Sequence, residues 1–281
     1  MNDAPTEPLF DAAHLRGFPW MPLVLFAIAA VLLISFSKSH VDVFGCPLGY
    51  DFITFWGASH VTLAGDAAAA FDRPTILAAE QLAVAANKMP FLWHYPPTFQ
   101  LVILPLALMP YALAWFVFVG GTFLLYVLAV RPLLTLRGLR PFDIVLLLVA
   151  FPAVFICLYH GQNSFLSAAL FAGAALAMER RPGLAGVLLG LLAFKPQFGL
   201  LVPVALAASR QWRAFLAAGA TALGFSAVAT LVFGVDLWRV FVADGTLVRA
   251  ILEDGSLPWV KIPSAFIFLR LLGVPETLAY A

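Results

Sequence analysis

The chain has 281 residues, of which 63% are hydrophobic and only 11% charged, with a formal net charge of +1 and a mean hydropathy of +0.96. That balance excludes an ordinary soluble domain, and the near-neutral charge removes any bulk electrostatic pull toward nucleic acid. Seven Trp and 26 Phe suit aromatic side chains placed at bilayer interfaces, so the sequence reads as an all-α polytopic membrane protein.

Residues 1–19 are polar and acidic-leaning, and no small-residue cleavage site follows the first apolar run, so they read as a cytoplasmic tail ahead of a membrane domain at 20–281. Residues 20–37 are apolar and long enough to span. Residues 38–97 form a mixed outer loop with amphipathic helical patches near 54–65 and 74–87, closing on Phe91-Leu92-Trp93-His94-Tyr95-Pro96-Pro97. Residues 98–109 are apolar but short, with Pro105 inside and Pro110 just after. Spans follow at about 111–130, 142–158 and 163–178, and two shorter apolar stretches, 183–194 and 197–209, flank Lys195-Pro196-Gln197. A further span covers 212–233, and 234–263 is polar again, a second outer loop.

Basic residues set the orientation. Arg131, Arg137 and Arg140 share one short connection, and Arg180, Arg181, Arg210 and Arg213 occupy two others. Positive residues in short loops mark the cytoplasmic side, which puts the N-terminus inside and 38–97, 158–163, Lys195 and 234–263 outside. Only one crossing then fits between 38–97 and 131–141, and residues 111–130 supply it. Residues 98–109 would reach only ~18 Å against a core of ~30 Å, so they read as a re-entrant or interfacial helix on the outer face. The same arithmetic makes 183–194 and 197–209 either thin crossings or a hairpin that stops short.

Eight polar residues from separate stretches thus fall on the outer side: Asp51, His94, Tyr95, His160, Gln162, Asn163, Lys195 and Gln197. An ionisable group at the membrane boundary is a functional-site candidate. Bland roles compete at each position. Asp51 suits the N-cap of a helix starting at Phe52, and Lys195 suits a snorkelling lysine at a helix end. Pro96 and Pro97 suit a helix start, and Gly161-Gln162-Asn163 suits a plain turn. His14, His40 and His60 show no partner pattern, and Asp66 and Asp72 read as solvated or capping acids. Cys46 and Cys157 form neither a disulfide framework nor a metal-ligand spacing. Asp42 and Asp51 are well separated with no second acidic pair nearby, so no metal site stands out; a divalent cation stays open.

Gly49-Tyr50-Asp51-Phe52, then Tyr95-Pro96-Pro97, Gly161-Gln162-Asn163 and Lys195-Pro196, in this order and spacing, resemble glycosyltransferase family 87, typified by polyprenol-phosphate-mannose-dependent mannosyltransferases. The runs at 63–66 (LAGD) and 185–190 (AGVLLG) also fit, and the resemblance extends from about residue 49 to 235. It implies a GT-C-like bundle in the cell (plasma or inner) membrane, with a catalytic acid in the first outer loop and the active site on the outer face. It implies a polyprenyl-phosphate sugar as donor, a lipid-linked or cell-envelope glycan hydroxyl as acceptor, membrane lipids as surroundings, and no nucleic acid. Family members generally continue with further helices, so a sequence stopping at Ala281 leaves three alternatives open: a naturally short member, a truncated gene product or a fragment.

In that chemistry the acceptor oxygen must lose its proton as the anomeric carbon becomes positive, a task for Asp51 as general base. Lys195 suits the developing charge on the leaving phosphate. His160, Gln162, Asn163 and Gln197 are candidates for the donor phosphate or sugar hydroxyls, and His94 and Tyr95 for a loop over the sugar. One carboxylate facing one leaving phosphate makes inversion the simpler outcome. No cofactor is called for. The rival readings are a transporter or lipid flippase, which also has broken helices and buried charges, and a non-catalytic envelope-assembly subunit. Against the transporter, the two halves show no internal repeat and the polar residues gather on one face. No residue selects mannose over arabinose, galactose or glucose.

Overall fold

The computed structural model describes residues 12–134, 139–255, 259 and 264–280. The first eleven residues of the tail, Arg137 of the basic connection, the end of the expected second outer loop (256–258 and 260–263) and Ala281 lie outside the described residues, as does the side chain of His14. The described chain is helical, apart from two isolated β-bridges, Lys38 to Val41 and Val41 to Pro47, which fold the 38–47 loop back on itself.

Helix α1 (Ala12–Gly17) precedes α2 (Trp20–Ser35), which buries no side chain. A helix that is apolar all round and unburied by protein is one that faces lipid. Two amphipathic helices follow, as the pattern predicts: α3 (Asp51–Leu63) and α4 (Arg73–Ala83). Asp72 caps α4 by accepting from the Thr75 N–H at 3.1 Å, and Asp66 accepts from the Ala69 N–H at 3.1 Å. Both acids therefore do the local work expected of them.

Helix α5 (Pro97–Ile103) continues as a tighter turn to Leu108. It is short, as expected, and it packs into the bundle between α3 and α13 (Trp212–Phe233), with Phe99, Gln100 and Ile103 fully buried. Helices α6 (Tyr111–Trp115) and α7 (Gly121–Val130) join through a π turn into one span, Tyr111–Leu133. Among the described residues, three helices are long and apolar enough to cross a membrane: Leu15–Ser35, Tyr111–Leu133 and Trp212–Phe233. The 22 residues of α13 would reach ~33 Å, enough for a ~30 Å core.

The expected span at 142–158 is a bent pair, α8 (Pro141–Val149) and α9 (Pro152–His160), turned by 60°. Pro152 is the cause. It has no N–H to donate and drives the preceding Phe151 out of helix to φ −65°, ψ 126°. If the pair counts as one span, it is the fourth. Beyond it run α10 (Ser164–Ala177), α11 (Pro182–Gly190) with a tight turn to Phe194, α12 (Phe198–Ala208) and α13.

The expected outer loop at 234–263 is largely helical: α14 spans Asp236–Glu253. Its charges recur at helical spacing, with Arg239 on Asp236 at 2.5 Å and Arg249 on Glu253 at 2.6 Å. Polarity alone suggested a loop there, but i,i+3 and i,i+4 pairs are what a solvated helix face carries. Two short helices, α15 (Ala265–Leu271) and α16 (Glu276–Ala279), close the described chain.

The glycines of the 185–190 run have a packing role. A Cβ on Gly186 would fall 2.2 Å from the Ala214 carbonyl oxygen, and one on Gly190 2.5 Å from that of Ala218. Their absence lets α11 lie directly on α13, the close approach that small residues permit in membranes. The main core is aromatic. Phe55 meets Trp93, Tyr95, Phe99 and Phe118 edge-on, and Phe99 stacks on Phe194 at 5.3 Å. This cluster ties α3, the 84–96 loop, α5, the α6–α7 span and the end of α11 together.

Candidate functional site

Asp51 opens α3, with Tyr50 in the N-cap position ahead of it. The acid therefore occupies the first turn, where the partial positive charge of the helix N-terminus favours a carboxylate. The backbone leading to it is tightly constrained. Gly49 (φ 94°) and Tyr50 (φ 36°) both take positive φ, and Gly161 (φ 63°) takes the left-handed conformation at the end of α9. A Cβ on Gly49 would strike the Tyr111 hydroxyl at 2.5 Å, which itself donates to the Leu48 carbonyl at 2.7 Å. A Cβ on Gly161 would strike Phe52 Cβ at 2.4 Å. The turn before α3 and the turn after α9 are thus pressed backbone to backbone, and only glycine fits at the contact.

That contact brings the α9–α10 turn to Asp51. Gln162 Nε2–H donates to Asp51 Oδ2, and the Ser164 hydroxyl reaches Gln162 Oε1 at 3.5 Å. Asn163 is buried at 1% exposure beside the Tyr95 hydroxyl, and neither polar atom of its carboxamide makes a well-formed hydrogen bond there. Burial pushes the Tyr95 phenol up, the nearby negative charge of Asp51 pushes it further, and Asn163 opposes both. Cys157, on α9, lies within electrostatic reach of both Asp51 and Lys195, the latter at the break between α11 and α12.

The structure therefore brings together Asp51, Tyr95, Gln162, Asn163 and Lys195 from four stretches of chain. His160 reaches the group through Tyr50, on whose ring it stacks at 4.3 Å. His94 and Gln197 are exposed: His94 stacks on Tyr95 at 5.2 Å, and Gln197 precedes α12.

Asp42, Tyr159 and Glu80, to which the sequence pattern gave no role in the site, frame it. Asp42 is buried, and its Oδ2 accepts from the Tyr50 hydroxyl at 2.7 Å and the Tyr159 hydroxyl at 2.6 Å. Its Oδ1 accepts from the N–H groups of Phe44 at 2.9 Å and Cys46 at 3.0 Å. Burial pushes the Asp42 carboxyl up, but the bonds from Tyr159, Tyr50, Cys46 and Phe44 together win and hold it below the usual carboxylate range. Burial raises the Tyr50 phenol, and the bond to Asp42 raises it further, so it stays a donor. Glu80 is fully buried on α4 and accepts from Asn87 Nδ2–H at 2.9 Å and from the Phe91 N–H at 3.1 Å. Burial outweighs these bonds and pushes its carboxyl up to about 8. Glu80 thereby fastens the loop that carries His94 and Tyr95. Sequence spacing hid these roles, because the fold-back of 38–47 and the loop over α4 are tertiary features.

Beside the turn at Gly49 lies an apolar cavity of about 660 Å³. It is lined by Leu23, Phe26 and Ala27 of α2, by Phe155 of α9, which stacks on Phe26 at 4.8 Å, by Trp115, and by Leu48, Gly49 and Tyr159. Among the described residues no three His, Cys, Asp or Glu side chains gather as a metal-ligand group, and both cysteines are free thiols.

A bundle of lipid-facing helices whose turns gather a buried Asn163 with half-buried Asp51, Tyr95, Gln162 and Lys195 defines a polytopic all-α membrane protein with a candidate site. Residues 93–281, more than half of the chain, match the family profile described as Glycosyltransferase family 87. The chain belongs to glycosyltransferase family 87 and is a membrane glycosyltransferase. The matched segment includes Tyr95, His160, Gln162, Asn163 and Lys195 and begins after Asp51. No curated protein and no solved structure matches the chain.

Proposed function

We propose that this glycosyltransferase has a GT-C-like architecture and moves a hexosyl group, mannosyl in the first instance, from a polyprenyl-phosphate sugar to a hydroxyl of a cell-envelope lipid or glycan. The reaction takes place on the outer face of the plasma membrane. The observation that carries this reading is the placing of Asp51. The acid stands in the first turn of α3, bonded by Gln162, with Cys157 in electrostatic reach of both it and Lys195, and with the apolar cavity of about 660 Å³ next to its turn.

Asp51 takes the proton of the acceptor hydroxyl as that oxygen bonds to the anomeric carbon. The bond from the anomeric carbon to the phosphate oxygen breaks on the opposite side, the sugar inverts, and polyprenyl phosphate leaves. Lys195 stabilises the charge that develops on the phosphate. The buried Asn163 carboxamide, short of partners, supplies a donor and an acceptor for the sugar or phosphate, since buried amides are nearly always satisfied by something. Gln162 orients Asp51, and His160, His94, Tyr95 and Gln197 border the sugar. The cavity beside Gly49 is chemically suited to an isoprenoid chain. The scheme assigns no cofactor.

The test is transfer in membranes containing the wild-type protein, using radiolabelled polyprenyl-phosphate mannose, glucose, galactose and arabinose in parallel. The reading expects one donor, mannose first, to be consumed into membrane-bound product. Consumption of none of the four, by well-expressed protein, contradicts it.

A further inference from the structure

The placing of Asp51 depends on the residue before it, and that residue is held by a carboxylate the reaction scheme does not use. Tyr50 has φ 36° and ψ −105°, a conformation that side-chain-bearing residues avoid. Such strain persists only where the surroundings over-determine it. Here the side chain is held at both ends: the Tyr50 hydroxyl donates to Asp42 Oδ2 at 2.7 Å, and its ring stacks on His160 at 4.3 Å and lies against Tyr159 at 5.1 Å and Phe91 at 6.2 Å.

Asp42 is in turn fixed from three sides. The N–H groups of Phe44 and Cys46 close its own loop on Oδ1, and the Tyr159 hydroxyl reaches Oδ2 from α9 across 117 positions of sequence. Three residues further along, Gln162 bonds Asp51 itself. The same helix end therefore braces two consecutive residues, Tyr50 through Asp42 and Asp51 directly.

We infer that Asp42 and Tyr159 form a positioning clamp for the catalytic carboxylate: through Tyr50 they hold the start of α3 in the conformation that aims Asp51 at the acceptor hydroxyl. The clamp rests on the proposed catalytic role of Asp51. Neither Asp42 nor Tyr159 touches the reacting atoms. A carboxylate is needed at position 42 because one oxygen must accept two phenols while the other accepts two N–H groups. An asparagine would turn one of those acceptors into a donor.

The experiment compares wild type, Tyr159→Phe, Asp42→Asn, the double variant and Asp51→Asn, using the four radiolabelled polyprenyl-phosphate sugars above in membranes. Rates are given per folded molecule, with melting temperature measured alongside. Tyr159→Phe removes one hydroxyl and leaves the rest of the loop intact, so it is the variant expected to fold whatever becomes of Asp42→Asn. The clamp predicts that Tyr159→Phe lowers kcat by roughly 10- to 100-fold, the scale of a sub-ångström to ångström misplacement. It also predicts a donor KM within about twofold of wild type, since Tyr159→Phe keeps the aromatic ring that lines the apolar cavity and removes only the hydroxyl bonded to Asp42. The double variant loses little more than Asp42→Asn alone, because both act through one network.

A purely structural role would lower the melting temperature and the amount of folded protein while leaving kcat per folded molecule unchanged, and that result overturns the inference. If Asp51→Asn abolishes transfer while Tyr159→Phe and Asp42→Asn turn over at the wild-type rate, the clamp fails and the catalytic assignment stands. If Asp51→Asn is itself fully active, or wild type uses no donor, the assignment fails and takes the clamp with it.

Discussion

Gly161→Ala is the substitution whose cost can be worked furthest from the geometry. The new Cβ would stand 2.4 Å from Phe52 Cβ, 3.2 Å from the Gly49 carbonyl oxygen and 3.3 Å from Phe52 Cγ. Ordinary carbon–carbon contact needs ~3.5–4.0 Å, so the α9–α10 turn and the start of α3 must separate by about 1 Å. Overpacking of this kind costs ~1–3 kcal/mol. Holding alanine at φ 63° costs a further ~1–2 kcal/mol. The protein should therefore lose ~2–5 kcal/mol of stability, read as a clear fall in melting temperature of the detergent-solubilised enzyme. Phe52 adjoins Asp51, so the same displacement should lower turnover of the surviving folded protein about 100-fold. Gly224→Ala is the control: nothing lies within 4 Å of its Cβ on α13, and alanine there should be neutral or stabilising by ~0.5–1 kcal/mol. A Gly161→Ala enzyme that melts and turns over like wild type would refute the packing argument.

Three further outcomes follow from other parts of the molecule. Glu80 has its carboxyl at about 8 against an ordinary 4.5, so the folded state holds a proton that the unfolded state releases. Its contribution to stability is complete below that ordinary value and is lost as pH rises toward and through 8. The melting temperature of Glu80→Gln should therefore gain on that of wild type between about pH 5 and about pH 9, and a constant difference would contradict the buried-acid account. Gly186→Leu would drive a side chain into the Ala214 carbonyl and should cost ~3 kcal/mol or more, seen as loss of monodisperse protein on size exclusion. Lys195→Gln should lower kcat/KM for the donor ~100-fold or more, with partial recovery in Lys195→Arg, because a lost cation at a developing anion is worth several kcal/mol; an unchanged value would return Lys195 to a helix-end role.

The helical plan was legible where apolar length decided it. Trp212–Phe233 and Tyr111–Leu133 stand out by composition alone, and the shortness of the Pro97–Leu108 helix follows from its flanking prolines. Two features were hidden for opposite reasons. The bend at Pro152 lies inside a continuous apolar run, where hydropathy is blind to a missing N–H. The helix Asp236–Glu253 lies in a polar segment, where its i,i+3 and i,i+4 charge pairs, rather than its mean hydropathy, were the usable signal. The side of the bilayer that each stretch should occupy groups Asp51, Tyr95, Gln162, Asn163 and Lys195, but it groups His94 and Gln197 with them equally, and those two are exposed. Asp42 could not be anticipated, because nothing in its spacing shows that the loop folds back or that Tyr159 arrives from α9. Local acids such as Asp66 and Asp72 read as solvated or capping, and both bond to the backbone three residues on, Asp72 as the N-cap of α4, since such bonds need only neighbours in sequence.

The most direct test of the account is donor turnover by Asp51→Asn beside Asp72→Asn, at matched expression in the same membranes. A missing general base predicts a loss of ~10²–10⁴-fold in kcat for Asp51→Asn, with its melting temperature close to wild type, while Asp72→Asn keeps its activity. An Asp51→Asn enzyme that transfers sugar at the wild-type rate would show that this carboxylate serves the start of α3 and not the chemistry.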